Sequence, residues 1–510
     1  MSLSILSTPL RGSSLVRIAS EQTPDNSWYV RRPQSVEEWR QRAGDVRQSL
    51  LNADWLTALG PALNASGAAA DRLERAAASG IAVTTGQQPG LFGGPLYCWW
   101  KALSALALAD RIEEITGLPV VPVFWAATDD SDFAEAASTV VATDEGVVRI
   151  QLEPDGQDGR PLSEVRIGDV TAQLARLRSA CGSAPHSSAL LQVEEAYRTG
   201  RTVGGAYVAL LRGVLEPMGI AVLDAAHPAT LAAGFPLMRR ALQESDGVGR
   251  ALIERSAALK KAGHSPQVKV VKGRSLVFAD NDGRRERISA KDSGKVAMHA
   301  QPGSLGPNVL LRPIVERSIL PTVAYAGGPG EIAYFAQISA VAEALGVMAP
   351  LVVPRWSGFV IEPRVARILD RYGLEVDNFR DPHAVESRFA REAIPSALND
   401  RLSALDDTTR QSIAAMAAAE GADIVSHSVL EGLSRDVSHR VERLRRRYSA
   451  AIKRRGNDAL RDAAIARASL FPEGDPQERA LNVIPLLARY GDEVFEKVLI
   501  EARAHARSLA

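Results

Sequence analysis

Cysteine is nearly missing from this 510-residue chain, which holds only Cys98 and Cys181. Two thiols cannot build a disulfide framework or a four-thiolate zinc site, and their scarcity points to a reducing, cytoplasmic compartment. No HExxH motif or Cys/His cluster is present, so no zinc is expected. Neither sign of charge is in excess, since 60 Lys+Arg balance 60 Asp+Glu. That balance excludes the global attraction to phosphate on which a nonspecific nucleic-acid binder relies. No apolar run reaches 18 residues, and the first 20 residues lack a continuous apolar stretch, so neither a membrane span nor a signal peptide is predicted. What the chain does have is length and 46% hydrophobic residues, enough for roughly three domains with a core of ordinary depth.

Short apolar, β-branched runs at 81–85, 119–125, 219–224, 322–325 and 351–353, each closed by Gly, Pro or Asp, read as buried strands. Between the first two, residues 95–116 carry apolar positions at helical spacing and end in Gly117-Leu118-Pro119, a helix stop. Strand, helix, strand at this spacing implies a βαβ unit, an α/β fold with a parallel sheet, and ligands beyond the carboxyl ends of the strands. Residues from about 155 to 264 look irregular. The stretch 267–288 reads as an antiparallel hairpin, with Val268, Val270 and Val271 turning through Lys272-Gly273-Arg274 to Leu276, Val277 and Phe278.

Further on, Leu430, Leu433, Val437, Val441, Leu444, Tyr448 and Ile452 repeat over 11 residues, a period that predicts a long, nearly straight helix. With 396–419 as the other arm and Gly421 near the turn, an antiparallel helical hairpin results, its seam buried on itself and on a second subunit. The predicted organisation is a core over 1–375 with insertions at about 155–290, a helical coiled coil over 376–468 that dimerises, and a C-terminal segment over 469–510 packing back on the core.

Three motifs follow predicted strands. The first, Thr85-Gly86-Gln87-Gln88-Pro89-Gly90-Leu91-Phe92-Gly93-Gly94, offers backbone amides and a helix N-terminus to an anion, although its glycines match neither the dinucleotide fingerprint nor the P-loop. In the second, Asp129-Asp130-Ser131-Asp132-Phe133-Ala134-Glu135, four carboxylates crowd together. Such a cluster holds a cation or an amine, shares a proton, or simply starts a helix. The third runs from Asn308 and Arg312 to Gly327-Gly328-Pro329-Gly330-Glu331, with Tyr334 on the next helical turn; Arg312 can grip a carboxylate or phosphate with two parallel bonds, or sit in a surface ion pair. Cys98, within Tyr97-Cys98-Trp99-Trp100, reads as a buried small hydrophobe.

Taken with Val120-Val121-Pro122-Val123-Phe124-Trp125 and Leu470-Phe471-Pro472-Glu473-Gly474-Asp475-Pro476-Gln477-Glu478-Arg479, these motifs resemble the bacillithiol-biosynthesis cysteine ligases, the BshC family. The resemblance implies a Rossmann-like core with connecting-peptide insertions and a dimerising coiled coil. It also implies a reaction joining the carboxyl of cysteine to the amine of glucosaminyl-malate, both small molecules, with no nucleic-acid or membrane partner. ATP and Mg²⁺ are the expected means of activating the carboxyl. On this reading Asp130, Asp132, Glu135 and Arg312 carry the chemistry. Gly86, Gln87, Gln88, Gly90, Asp129, Ser131, Asn308, Gly327, Gly328, Gly330, Glu331 and Tyr334 bind substrate or nucleotide, and no metal-ligand set is assigned. The family pattern Glu-Asp-His-Asp-Phe-x-Glu departs at Ser131, where serine can neither carry positive charge nor act as a base near neutral pH. Two readings therefore stand: a ligase, or a homologue that acts on another amine or only binds a thiol or nucleotide.

Overall fold

The computed structural model describes residues 3–21, 27–143, 146–153, 159–281, 284–381, 383–419, 424–455 and 458–510. They fall into two compact units. One comprises Leu3–Val141, Val148–Val360 and Glu478–Ala510, and the other is chiefly Ile361–Gln477.

The first unit is built on strand β1 (Ile81–Gln87), helix α1 (Leu96–Thr116), β2 (Val120–Ala126), β3 (Ala221–Asp224), α2 (Ser245–Lys261), α3 (Arg312–Ile319), β4 (Thr322–Gly327), α4 (Pro329–Ala344) and β5 (Val352–Pro354). The five strands pair in parallel in the order β5-β4-β1-β2-β3. The chain therefore works outward from β1 to β3, then returns to the other side of β1 with β4. The reversal between β1 and β4 is the switch point at which open α/β sheets leave a crevice for ligands. Both faces of the sheet are covered, which is why the strands are apolar without alternation. Val121, Val123 and Trp125 point into one core with Leu223 and Tyr325. Ile81, Val83, Val120 and Val323 point into the other, against Leu108 and Ile112 of α1. Helix α1 is buried almost all round and stops at Gly117, whose φ of 72° caps it in the left-handed region.

Each predicted strand is present, extended, shortened or shifted by one or two residues. Two other expectations need correction. The stretch read as irregular is largely helical, with Thr171–Cys181, Ser188–Ala196, Val203–Leu215 and Pro228–Gln243. The first two of these span only 11 and 9 residues. The antiparallel hairpin pairs Arg274–Asn281 with Arg284–Ser289 rather than turning at Lys272-Gly273-Arg274. Val268, Val270 and Val271 form no strand and instead line a pocket. The alternating charges of Arg284-Arg285-Glu286-Arg287 disguise the second strand as loop.

In the second unit, α5 (Ser396–Ala417) and α6 (His427–Arg455) pair antiparallel, with Arg445 Nη2 donating to Ser403 at 2.7 Å and Ser438 Oγ to Asp406 at 2.7 Å. Leu402, Ile413 and Val441 are buried in the seam, while Leu433 and Leu444 stay 48% and 39% exposed. Gly421 lies outside the described residues. Among them no helix is long and apolar enough to cross a membrane.

Candidate active site

Strand β1 ends in Gly86 and Gln87, and their placement is dictated by close packing. A side chain on Gly86 would meet the Trp125 carbonyl at 2.8 Å, so only glycine lets β1 and β2 run side by side here. The Gly86 carbonyl accepts a hydrogen bond from Lys101 Nζ, which also donates to Gln87 Oε1 at 3.1 Å and pairs with Glu331 Oε2 at 2.7 Å. Lys101 is 1% exposed, a cation on the buried part of helix α1. Glu331, in the first turn of α4, also accepts from the Tyr325 hydroxyl and from the Gly328 amide at 2.7 Å. Burial pushes the Glu331 carboxyl up, but the Lys101 charge and these hydrogen bonds outweigh it and hold the group below the usual carboxylate range. One ion pair therefore ties helix α1 to helix α4 across the switch point, with the end of β1 held to it through the Gly86 carbonyl.

A second pair continues the network. Arg312 opens α3, and its Nη1 donates to Glu316 Oε2 at 2.6 Å, while Nη2 lies 3.4 Å from both the Tyr325 and the Tyr334 hydroxyls. Part of the fork that the sequence offered to a ligand is thus occupied by Glu316, a residue 1% exposed. Asn308 Oδ1 accepts from the Leu310 and Leu311 amides at 3.1 and 3.0 Å, fixing the turn that leads into α3.

The acidic run divides. Asp129 and Asp130 stand at the carboxyl end of β2, whereas Asp132 caps the single-turn helix Phe133–Ala136 by accepting from the Glu135 amide at 3.1 Å. Glu135 accepts from Gln88, which joins the acidic run to the first glycine-rich turn. Burial pushes the Asp130 carboxyl above its ordinary value, and the Asp129 charge adds to this, against a bond from the Asp132 amide at 3.0 Å. Arg285, from the antiparallel hairpin, donates to the Asp129 carbonyl and to the Pro307 carbonyl at 3.0 Å, and lies 3.4 Å from Asp129 Oδ2.

These groups surround one cleft of about 570 Å³, within the range of about 300–1,000 Å³ common for small-molecule sites. Gly86, Gln87, Gln88, Asp129, Asp130 and Ser131 line it from β1 and β2, and Asn308, Arg312, Gly330, Glu331 and Tyr334 from the β4 side. Gly330 faces open space, so a ligand can approach the α4 N-terminus closely. The remaining predicted residues are not in the lining. Gly327 is buried against Val352, Gly328 serves as partner of Glu331, and Gly90 is part of a buried turn. In that turn Phe92, Gly93 and Gly94 adopt φ of 52°, 91° and 72°, and Asn482 Nδ2 is 3.3, 3.0 and 3.3 Å from the Leu91, Phe92 and Gly94 carbonyls. The second half of the glycine-rich loop is thus held by protein. Burial pushes the Cys98 thiol up to about 12, which fits a buried hydrophobe rather than a nucleophile.

Sequence reasoning passed over Lys101, Glu316, Arg285 and Asn482. Lys101 alone left a signal, as the single charge inside Trp99-Trp100-Lys101-Ala102-Leu103.

Comparison with known proteins gives the arrangement a family. Residues 2–356 match the profile described as "Bacillithiol biosynthesis BshC, N-terminal Rossmann-like domain" and residues 358–507 that of "Bacillithiol biosynthesis BshC, C-terminal coiled-coil domain". The chain belongs to the BshC family. Similar relatives named "Putative cysteine ligase BshC" occur in Koribacter versatilis, 33% identical over 87% of this chain and 86% of the relative, and in Solibacter usitatus, 33% identical over 83% and 84%. A third, from Salinibacter ruber, is 30% identical over 82% and 80%. The chain is thus a BshC homologue with the Rossmann-like core and coiled-coil domain of that family. Its cleft is lined by Ser131, and no histidine is among the described residues lining it.

Proposed function

We propose that this chain is an ATP-dependent cysteine ligase acting on glucosaminyl-malate. Supporting the reading above all is the cleft at the β1/β4 switch point, where the turn after β1, the Asp129-Asp130-Ser131 run and the α4 N-terminus meet. Amide formation from a free carboxylate requires activation. A cysteine carboxylate oxygen attacks the α-phosphorus of ATP and pyrophosphate leaves; the sugar amine then attacks the acyl carbon and AMP leaves. The amine arrives as an ammonium ion and must lose a proton before attack. Asp130, buried beside Asp129 at the cleft, accepts that proton, since a carboxylate of raised pKa is the stronger base. Gly330, at the N-terminal turn of α4, and Arg312 face the charged oxygens.

Mg²⁺ arriving with the nucleotide needs only one or two protein carboxylates, and Asp129 at the cleft would supply one while Asp130 stays free as the base. The ion would neutralise phosphate charge there. The second reading, a homologue that binds thiol or nucleotide without turnover, is favoured by one observation, Ser131 in place of the family histidine. We place the reaction in the cytoplasm, where cysteine stays reduced, and in a dimer joined through α5 and α6.

Incubation with cysteine, ATP, Mg²⁺ and glucosaminyl-malate, followed by mass spectrometry, should give bacillithiol and AMP in equal amounts. ADP as product would refute the adenylate step. Nucleotide binding without any product would establish the second reading.

A further inference from the structure

Beside the cleft lies a second cavity, of about 210 Å³, that no part of the proposed reaction yet uses. Its walls come from the start of α2, from residues 268–276 and from the antiparallel hairpin. Five cations line it, Arg250, Lys269, Lys272, Arg274 and Arg287, and among the described lining residues Asp246 is the one carboxylate. None of the five makes an ion pair among the described residues, whereas Arg312 is matched by Glu316 and Arg355 by Glu478. Burial pulls the Arg287 guanidinium down and the like charge of Arg274 adds to it, so the two are crowded without a counter-ion.

The floor is apolar, with Val248, Leu252, Val268 and Leu276. Ser245, the first residue of the 17-residue helix α2, lines the cavity at 7% exposure, and its hydroxyl has no hydrogen-bond partner. A helix N-terminus, an unpartnered buried hydroxyl and uncompensated cations all favour negative charge at one place. Val268, Arg287 and Asn308 line this cavity and the cleft alike, so one ligand can extend through both.

We propose that this cavity receives the dicarboxylate end of the amine acceptor while its amine reaches Asp130, an inference that rests on the ligase reading above. Two carboxylates match the cation surplus, and the short carbon chain between them matches the apolar floor. Arg287, at the junction of the two spaces, is the specificity-determining residue.

The test uses the full chain and a K269A/R274A double variant. Both side chains are exposed, and an unchanged melting temperature checks the fold. Calorimetric titration with L-malate should show affinity weakened about tenfold or more in the variant, as expected on losing two charge-assisted contacts. The ratio of the KM for glucosaminyl-malate to that for glucosamine, which lacks the diacid, should rise by a similar factor. Malate binding that is equal in the two proteins, or no tighter than that of acetate in the wild type, would overturn the proposal. Wild-type chain that binds malate but yields no product overturns the ligase reading alone, because the titration does not depend on turnover.

Discussion

Lys101 and Glu331 form a buried pair whose two halves come from helices α1 and α4, on either side of the switch point. Neither charge is affordable without the other. Lys101→Met should destabilise the chain by about 3 kcal/mol, the scale for stranding one member of a buried pair, read as a lowered urea midpoint. Because the Glu331 carboxyl is held below its ordinary value, its contribution is fully present above the unfolded value of about 4.3 and is lost as pH falls through the folded one. Glu331→Gln should therefore flatten the fall in stability below pH 4.3, measured by urea unfolding across that range. Asp130 carries the opposite sign. With its carboxyl raised by burial, acidification favours the folded state through this group, and ionisation at neutral pH is a cost that function explains. Asp130→Asn should lower kcat about 100-fold or more while leaving the thermal midpoint unchanged or raised. In the wild type, activity should decline as pH falls through the raised Asp130 value, and a profile flat down to the ordinary aspartate range would count against the base assignment.

Two elements remote in sequence shape the site from outside the sheet. The antiparallel hairpin brings Arg285 to the Asp129 carbonyl and Arg287 to the boundary of the two cavities. The C-terminal residues bring Asn482, 2% exposed, to three carbonyls of the turn between β1 and α1, while its Oδ1 accepts from the Ile484 amide at 2.8 Å. That turn includes a non-glycine residue in the left-handed region, Phe92, which persists only where surrounding bonds hold it. Asn482→Ala should cost about 2–4 kcal/mol by leaving several buried groups without partners, and thermal denaturation will show it. Arg285 and Asn482 escaped sequence reading for the same reason: they act through tertiary hydrogen bonds, which leave no periodicity.

Across the whole molecule, the helical hairpin of α5 and α6 buries Leu402, Ile413 and Val441 but leaves Leu433, Leu444, Leu405 and Met416 over a third exposed. An apolar face of this kind on a soluble monomer is unusual. Light scattering should find twice the monomer mass for the wild type and monomer for Leu433→Glu combined with Leu444→Glu; a wild-type monomer would refute the pairing. The sequence by itself determined the parallel sheet, since strands buried on both faces must be continuously apolar, and the helical hairpin, since its 11-residue repeat matches the helix period. It also located three motifs that contribute residues to the cleft, because each follows a strand. Only the tertiary structure decided which of those residues meet. It turned Asp132 to capping and Glu331 to Lys101, and gathered around a second cavity five cations that make no ion pair among the described residues. Local patterns record burial and period, whereas pairing of charges across a fold depends on distances that no single segment encodes.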